Sequence, residues 1–167
     1  MQSLPVQRLT RAAFSPYGEV IDSDGAASFA INGGRAQRFH ALAEVDALAE
    51  NGRGVISIFR TEPVQLPLDL GLLERHRLGS QAFMPLNGQR FLVVVAPDSA
   101  GGQPGLPVAF LTNGQQGVSF RRGTWHHPLL ALQARCDFLV VDRDGGVIDC
   151  EEAAAPGAFR IDSLPAG

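Results

Sequence analysis

The chain has 167 residues, 45% of them hydrophobic and 19% charged, with a formal net charge of −3. These values suit one globular domain spanning 1–167; they exclude wholesale disorder and a basic nucleic-acid surface. All 14 basic residues are arginine, which rules out a lysine Schiff base and leaves arginine as the permanent cation for gripping a carboxylate.

The first residues, Met1 to Leu9, contain no apolar stretch long enough for a signal peptide. Thr10 is placed to cap a short helical turn through Ala13, ended by Pro16-Tyr17-Gly18. Ala41 to Asn51 (ALAEVDALAEN) is the one other stretch with a helical look. Strand signals dominate the remainder: Val55–Arg60, Gln81–Met84, Phe91–Ala96, Val108–Leu111 and Asp137–Asp142 are short and rich in β-branched or aromatic residues. Turn residues separate them at Asn32-Gly33-Gly34, Asn87-Gly88, Asn113-Gly114 and Asp144-Gly145-Gly146, and Asn-Gly between apolar strands signals a hairpin. The longest strongly apolar run, Phe91 to Pro97, is far too short to span a membrane. Cys136 and Cys150 form no Cys-x-x-Cys pair and read as reduced, structural thiols. Ala153 to Gly157 reads as a loose tail. The expected fold is all-β, a sandwich, jelly roll or small barrel of eight or more strands with one or two short helices.

Three of the four histidines lie in two segments, Glu74-Arg75-His76-Arg77-Leu78-Gly79-Ser80-Gln81 and Gly123-Thr124-Trp125-His126-His127-Pro128. Side chains alternate along a strand, so Glu74 and His76 share one face and Arg75 and Arg77 the other. The spacing of Glu74, His76, Gln81 and Gly88, and of Gly123 and His126, is that of the two cupin motifs: a His-x-His pair followed by Glu and Gly, then Gly-x-x-His. Here Glu74 stands at the first His position and Gln81 at the Glu position. On neighbouring strands of a jelly roll the four groups would meet in one cavity. They are candidate ligands of a divalent metal, or metal-free groups that bind substrate by hydrogen bonds. His127 is expected on the opposite face from His126, and His40 at a strand end. Arg60 shares a face with Ile56 and Ile58; if those are core, it points inward and needs an anionic partner, such as a substrate carboxylate. Arg38 and Arg122 are further candidates of that kind. Asn32 and Asn113 are turn residues that are also candidate ligand contacts. Val94 and Leu129, beside the motifs, are expected to be outward apolar residues that a partner copy covers in a symmetric homodimer.

The chain resembles the ureidoglycolate lyase family of allantoin degradation. The matching stretches are Phe14-Ser15-Pro16-Tyr17-Gly18-Glu19-Val20-Ile21, Leu73 through Pro85, Thr112 through Val118, Trp125-His126-His127-Pro128-Leu129 and Asp137 through Arg143. The resemblance implies a cupin-like β-barrel, a homodimer, a cytoplasmic location, a possible nickel ion and cleavage of ureidoglycolate into glyoxylate and urea. A hydrolase releasing ammonia and a non-catalytic cupin binding a small organic acid are the alternatives.

Ureidoglycolate carries hydroxyl, carboxylate, hydrogen and a urea nitrogen on one carbon. Its cleavage needs a base for the hydroxyl proton, an acid for the leaving nitrogen and a grip on the carboxylate. His126 or His76 is the expected base. Glu74 is the expected acid if burial raises its pKa. Gln81 would orient the ureido group, and Arg60 would clamp the carboxylate. Where a metal is bound, the four motif residues would instead be its ligands.

Overall fold

The computed structural model describes residues 1–165. Its strands, in chain order, are β1 (Gln2–Ser3), β2 (Val6–Arg8), β3 (Gly18–Ile21), β4 (Ser28–Ile31), β5 (Ala36–Phe39), β6 (Arg53–Thr61), β7 (Leu68–His76), β8 (Gln81–Pro85), β9 (Phe91–Ala96), β10 (Val108–Leu111), β11 (Gly117–Phe120), β12 (Trp125–His126), β13 (Leu130–Ala131), β14 (Cys136–Asp144) and β15 (Cys150–Ile161). One eight-stranded sheet runs β1-β15-β7-β12-β9-β10-β2, with β13 also on β9. A five-stranded sheet runs β3-β11-β8-β14-β6, and β4-β5 is a separate two-stranded hairpin.

The two large sheets close on a common core. Phe91, Val93, Val95 and Phe110 of the first pack with Phe83, Val118, Phe120, Phe138 and Val140 of the second. This is the cupin-like, jelly-roll barrel that the spacing and the strand count led us to expect. A second core lies on the outer face of the larger sheet, where Leu92, Val94, Ala96 and Trp125 meet Leu4, Leu70, Leu73, Phe159 and Ile161. Strand β9 sits between the two cores, and all six of its residues are buried.

Thr10 caps the short helix Arg11–Phe14, its hydroxyl accepting from the Ala13 amide at 3.2 Å. The stretch from Ala41 to Asn51 is not a helix. Ala41, Glu50 and Asn51 have φ of 52°, 50° and 56°, and only Ala49–Asn51 forms a 3-10 turn. Tertiary contacts override its propensity. The Asp46 amide donates to Ser80 Oγ at 2.9 Å, and the Ser80 amide donates to the Asp46 carbonyl at 2.8 Å.

The turns fall where expected but do different work. Asn87-Gly88 leads from β8 to β9 and Asn113-Gly114 from β10 to β11, so each carries the chain from one sheet to the other and neither closes a hairpin. The two turns touch. A Cβ on Gly114, where φ is +95°, would lie 2.7 Å from the Gly88 carbonyl oxygen, so only glycine fits there. Ala153 to Gly157 is not a loose tail either: it lies within β15, whose register shifts between Ala154 and Phe159 around Pro156 and Gly157. Among the described residues no helix is long and apolar enough to cross a membrane.

Candidate active site

Strand β7 supplies Glu74 and His76 to one face, and its neighbours supply the rest. His126 of β12 stands directly opposite Glu74, while Cys150 of β15 stands opposite His76. The other face of β7 is a structural clamp. Arg75, 2% exposed, donates to Glu151 at 2.9 and 3.0 Å and to Asp98 at 2.7 Å. Its guanidinium lies 4.2 Å above the Trp125 ring, and the Trp125 indole donates to the same Asp98 oxygen at 2.9 Å. Charge pairing and a cation–π contact fix β7 against β12 and so set the spacing of Glu74, His76 and His126.

The His76 and His126 rings are 5.4 Å apart between centroids. One ligand atom from each of Glu74, His76 and His126 lies within 4.8 Å of the others. His126 stacks on Phe120 at 4.3 Å with 14° between the planes. Its Nδ1 meets the Thr124 carbonyl at 2.9 Å, and His76 Nδ1 meets the Asp149 carbonyl at 3.2 Å. A carbonyl only accepts, so each Nδ1 carries a proton, and in the neutral ring each Nε2 then presents a lone pair. Both Nε2 atoms are buried without a hydrogen-bond partner. His126 Nε2 is 3.5 Å from Glu74 Oε1, an electrostatic contact rather than a formed hydrogen bond.

Once protonated, the His126 ring turns an Nε2 N–H toward Glu74, and that donor, with the positive charge of His126 and His76, holds the Glu74 carboxyl below its usual range against the opposing effect of burial. Glu74 is therefore ionised at neutral pH. The expectation of a raised pKa and an acid role is overturned, because the neighbouring imidazoles outweigh desolvation.

Gln81 of β8 reaches the same interior from the facing sheet. It lines one cleft, of about 200 Å³, with His76, Asp142, Arg143 and Cys150, and a second with Glu74, Phe59 and Phe83. Its side-chain amide donates to Asp142 Oδ2 at 3.1 Å, and its Oε1 is buried without a partner.

Four other placements differ from expectation. Arg60 does share a face with Ile56 and Ile58, but that face is the outer one: Ile56 is 73% and Ile58 53% exposed. The register of β6 on β14 puts Arg60 opposite Asp137, and the pair forms two hydrogen bonds of 2.7 and 2.8 Å. Arg60 borders the second of these clefts with its charge already compensated by Asp137. His127 is not on the outer face; it is half-buried and lines a small cavity with Glu74, Phe83 and His126. Strand β12 ends at His126 ahead of Pro128, so alternation no longer applies. Val94 is covered by the chain's own second core. Cys150 is an exposed free thiol, its Sγ 3.8 Å from Glu74 Oε2, rather than a buried structural one.

The remaining candidates stand apart from the histidines. Arg122 is paired with Asp46. Arg38 is exposed on the β4-β5 hairpin, and His40 follows that hairpin's second strand. Asn32 has φ of 53° in an exposed turn. Asn113 accepts from the Gln115 and Gln116 amides at 2.9 and 3.1 Å, in a separate pocket with Arg8 and Arg90.

Sequence reasoning missed Asp142 and Arg143. Asp142 shares the inner face of β14 with Phe138 and Val140, and a carboxylate on an apolar face was the available signal. Arg143 lines the cleft with His76 and Gln81. Its guanidinium donates to the Ala49 and Glu50 carbonyls at 3.0 and 3.4 Å and has no carboxylate partner among the described residues.

A jelly-roll barrel whose interior gathers two imidazoles, an ionised carboxylate and an amide oxygen beside a small polar cleft is a cupin-type enzyme acting on a small molecule. The chain belongs to the ureidoglycolate lyase family, whose family model matches residues 1–162. It is 50% identical over 152 residues to the ureidoglycolate lyase of Pseudomonas syringae pv. tomato, covering 91% of this chain and 89% of that protein. It is 53% identical over 142 residues to the ureidoglycolate lyase of Rhizobium etli, covering 85% of each. Among solved structures, it is similar to a sugar 3,4-ketoisomerase from Thermoanaerobacterium thermosaccharolyticum, with a TM-score of 0.42 and 14% identity over 79% of this chain and 85% of that one. It is also similar to a dTDP-6-deoxy-D-glucose-3,5-epimerase from Legionella pneumophila, with a TM-score of 0.43 and 19% identity over 77% of this chain and 72% of that one.

Proposed function

We propose that this lyase, as a single domain in the cytoplasm, splits ureidoglycolate into glyoxylate and urea, with His126 as the proton carrier. The observation that carries the reading is the unpartnered Nε2 lone pair of His126 beside the ionised Glu74. His126 Nε2 takes the hydroxyl proton, the carbon–oxygen double bond forms, and the carbon–nitrogen bond breaks toward nitrogen. The same imidazolium then protonates the leaving urea nitrogen. Protons balance, and no water is consumed. Glu74 stabilises the transient imidazolium as an acidic partner does in other His-based sites. Arg143, rather than Arg60, takes the substrate carboxylate.

The donor set also fits a divalent ion: Glu74, His76 and His126 would hold it. A bound ion of that kind would polarise the substrate's hydroxyl and carboxylate oxygens. The protein acts as a symmetric homodimer through β6, the edge of the five-stranded sheet, where Ile56, Ile58 and Phe59 are exposed.

The test is turnover of ureidoglycolate by purified protein before and after chelation, with glyoxylate, urea and ammonia all measured. Equal glyoxylate and urea support the lyase reading. Ammonia in place of urea overturns it, and loss of turnover on chelation assigns the ion.

A further inference from the structure

The groups that Glu74, His76, His126 and Gln81 turn toward the clefts are acceptors, and what fixes the last of them is Asp142. Gln81 is 6% exposed, and its amide has one wall-side partner, Asp142 Oδ2 at 3.1 Å. A carboxylate accepts and does not donate, so the amide NH2 must face it. The flipped amide would set Oε1 against Oδ2, two acceptors in contact, inside a half-buried site where nothing screens them. Gln81 Oε1 is therefore the end turned away, and it is buried without a partner. The Nε2 atoms of His76 and His126 are the same kind of group: buried, unpartnered and accepting. Among the described residues these buried acceptors have no protein donor, so they call for a ligand that brings donors.

We propose that Asp142 is a positioning residue. It holds the Gln81 amide so that Oε1 accepts from the terminal NH2 of the substrate's ureido group, and this makes the pair the element that selects ureido compounds. The proposal rests on the lyase reading above. Ureidoglycolate carries N–H donors at both ureido nitrogens. An N-acyl analogue that ends in methyl in place of the terminal NH2 leaves Oε1 desolvated and unpaired. Sites built to meet a donor reject the analogue lacking it far more strongly than apolar pockets reject a missing methylene.

The test is a double-mutant cycle on ureidoglycolate cleavage with Gln81→Ala, Asp142→Ala and the double variant, and Asp142→Asn as the near-isosteric control for folding. Each single alanine variant should raise KM about 10-fold, the loss of one hydrogen bond held equally in ground and transition states, with kcat little changed. The double variant should be no worse than Gln81→Ala, because Asp142 acts only through Gln81. Asp142→Asn keeps a carbonyl acceptor for the amide and should fall between wild type and Asp142→Ala. Additive losses, or a fall in kcat at unchanged KM, would assign Asp142 a separate role and overturn the proposal. So would a drop in bound divalent metal per chain in Gln81→Ala, which would give Oε1 to an ion. A wild-type protein that releases no urea sinks the lyase reading and this one together; an active wild type with an additive cycle sinks this one alone.

Discussion

Replacing His126 with alanine separates chemistry from folding. The ring is 2% exposed, stacked on Phe120 at 4.3 Å and hydrogen-bonded to the Thr124 carbonyl at 2.9 Å. The ring contact contributes about 1 kcal/mol, the hydrogen bond about 1 kcal/mol and the cavity roughly another 1–2 kcal/mol. A chain of this size loses about 2–4 °C of Tm per kcal/mol, so the variant should melt roughly 6–16 °C lower and still be folded at room temperature. Turnover should fall further, by about 10²–10⁴-fold, because the proton carrier is gone. The assay is glyoxylate release at 20–25 °C (roughly 20–45 °C below a typical mesophile melt), with near-ultraviolet circular dichroism on the same sample. His127→Ala should cost less, because His127 Nδ1 is held by the neighbouring Pro128 carbonyl at 2.9 Å and Glu74 faces His126 directly. A folded His126→Ala protein within about 10-fold of wild-type turnover would refute the assignment, as would a more damaging His127→Ala.

Arg143→Met should raise KM for ureidoglycolate by about 10–100-fold, the loss of a charge-assisted grip on a carboxylate, while Arg60→Met should leave it near wild type; steady-state kinetics on both decide between the two arginines. Stability should fall as pH drops below the ordinary histidine value of 6.5, because burial lowers the His127 pKa and the unfolded chain takes up a proton that the folded chain refuses. That loss runs down to the folded pKa, and the depressed Glu74 adds a further loss below its ordinary value of 4.5. Urea melts across this range should be flatter for His127→Asn. Ile58→Asp on the exposed face of β6 should convert the dimer to a monomer in sedimentation at micromolar concentration; an unchanged sedimentation coefficient would move the interface elsewhere.

What the sequence made legible was local. Glu74, His76, Gln81 and His126 follow from strand alternation and fixed spacing, and neither requires knowing which strands pair. Arg60 required more. Its face was assigned by the guess that Ile56 and Ile58 are core, and only the long-range register of β6 on β14 shows that Ile58 sits beside the outward Leu139 and Arg60 beside Asp137. His127 failed for the opposite reason: alternation was applied one residue past the end of its strand. Val94 lay in an unbroken apolar run, Phe91 to Ala96, which marks a strand buried on both faces rather than one with an outer face to cover. The helical composition of Ala41 to Asn51 lost to Ser80, Arg122 and Arg143, which hold that segment as a loop. None of those partners is near it in sequence.

The tautomers follow from the same backbone. The Thr124 and Asp149 carbonyls accept from the Nδ1 N–H groups of His126 and His76, so in the neutral rings both Nε2 lone pairs face the interior before any ligand arrives. Asp142 does for the Gln81 amide what those carbonyls do for the rings. The wall so formed repels a carboxylate and accepts N–H and O–H groups, whereas Arg143, on the rim beside Gln81, does the reverse. A substrate with a carboxylate at one end and a ureido group at the other therefore has one favourable orientation, carboxylate toward Arg143 and ureido group toward Gln81. That orientation leaves the hydroxyl-bearing carbon between them, in the cleft that His76 also lines. Exchanging the two ends would set a carboxylate against the Gln81 Oε1 acceptor and strand Arg143 against a neutral amide.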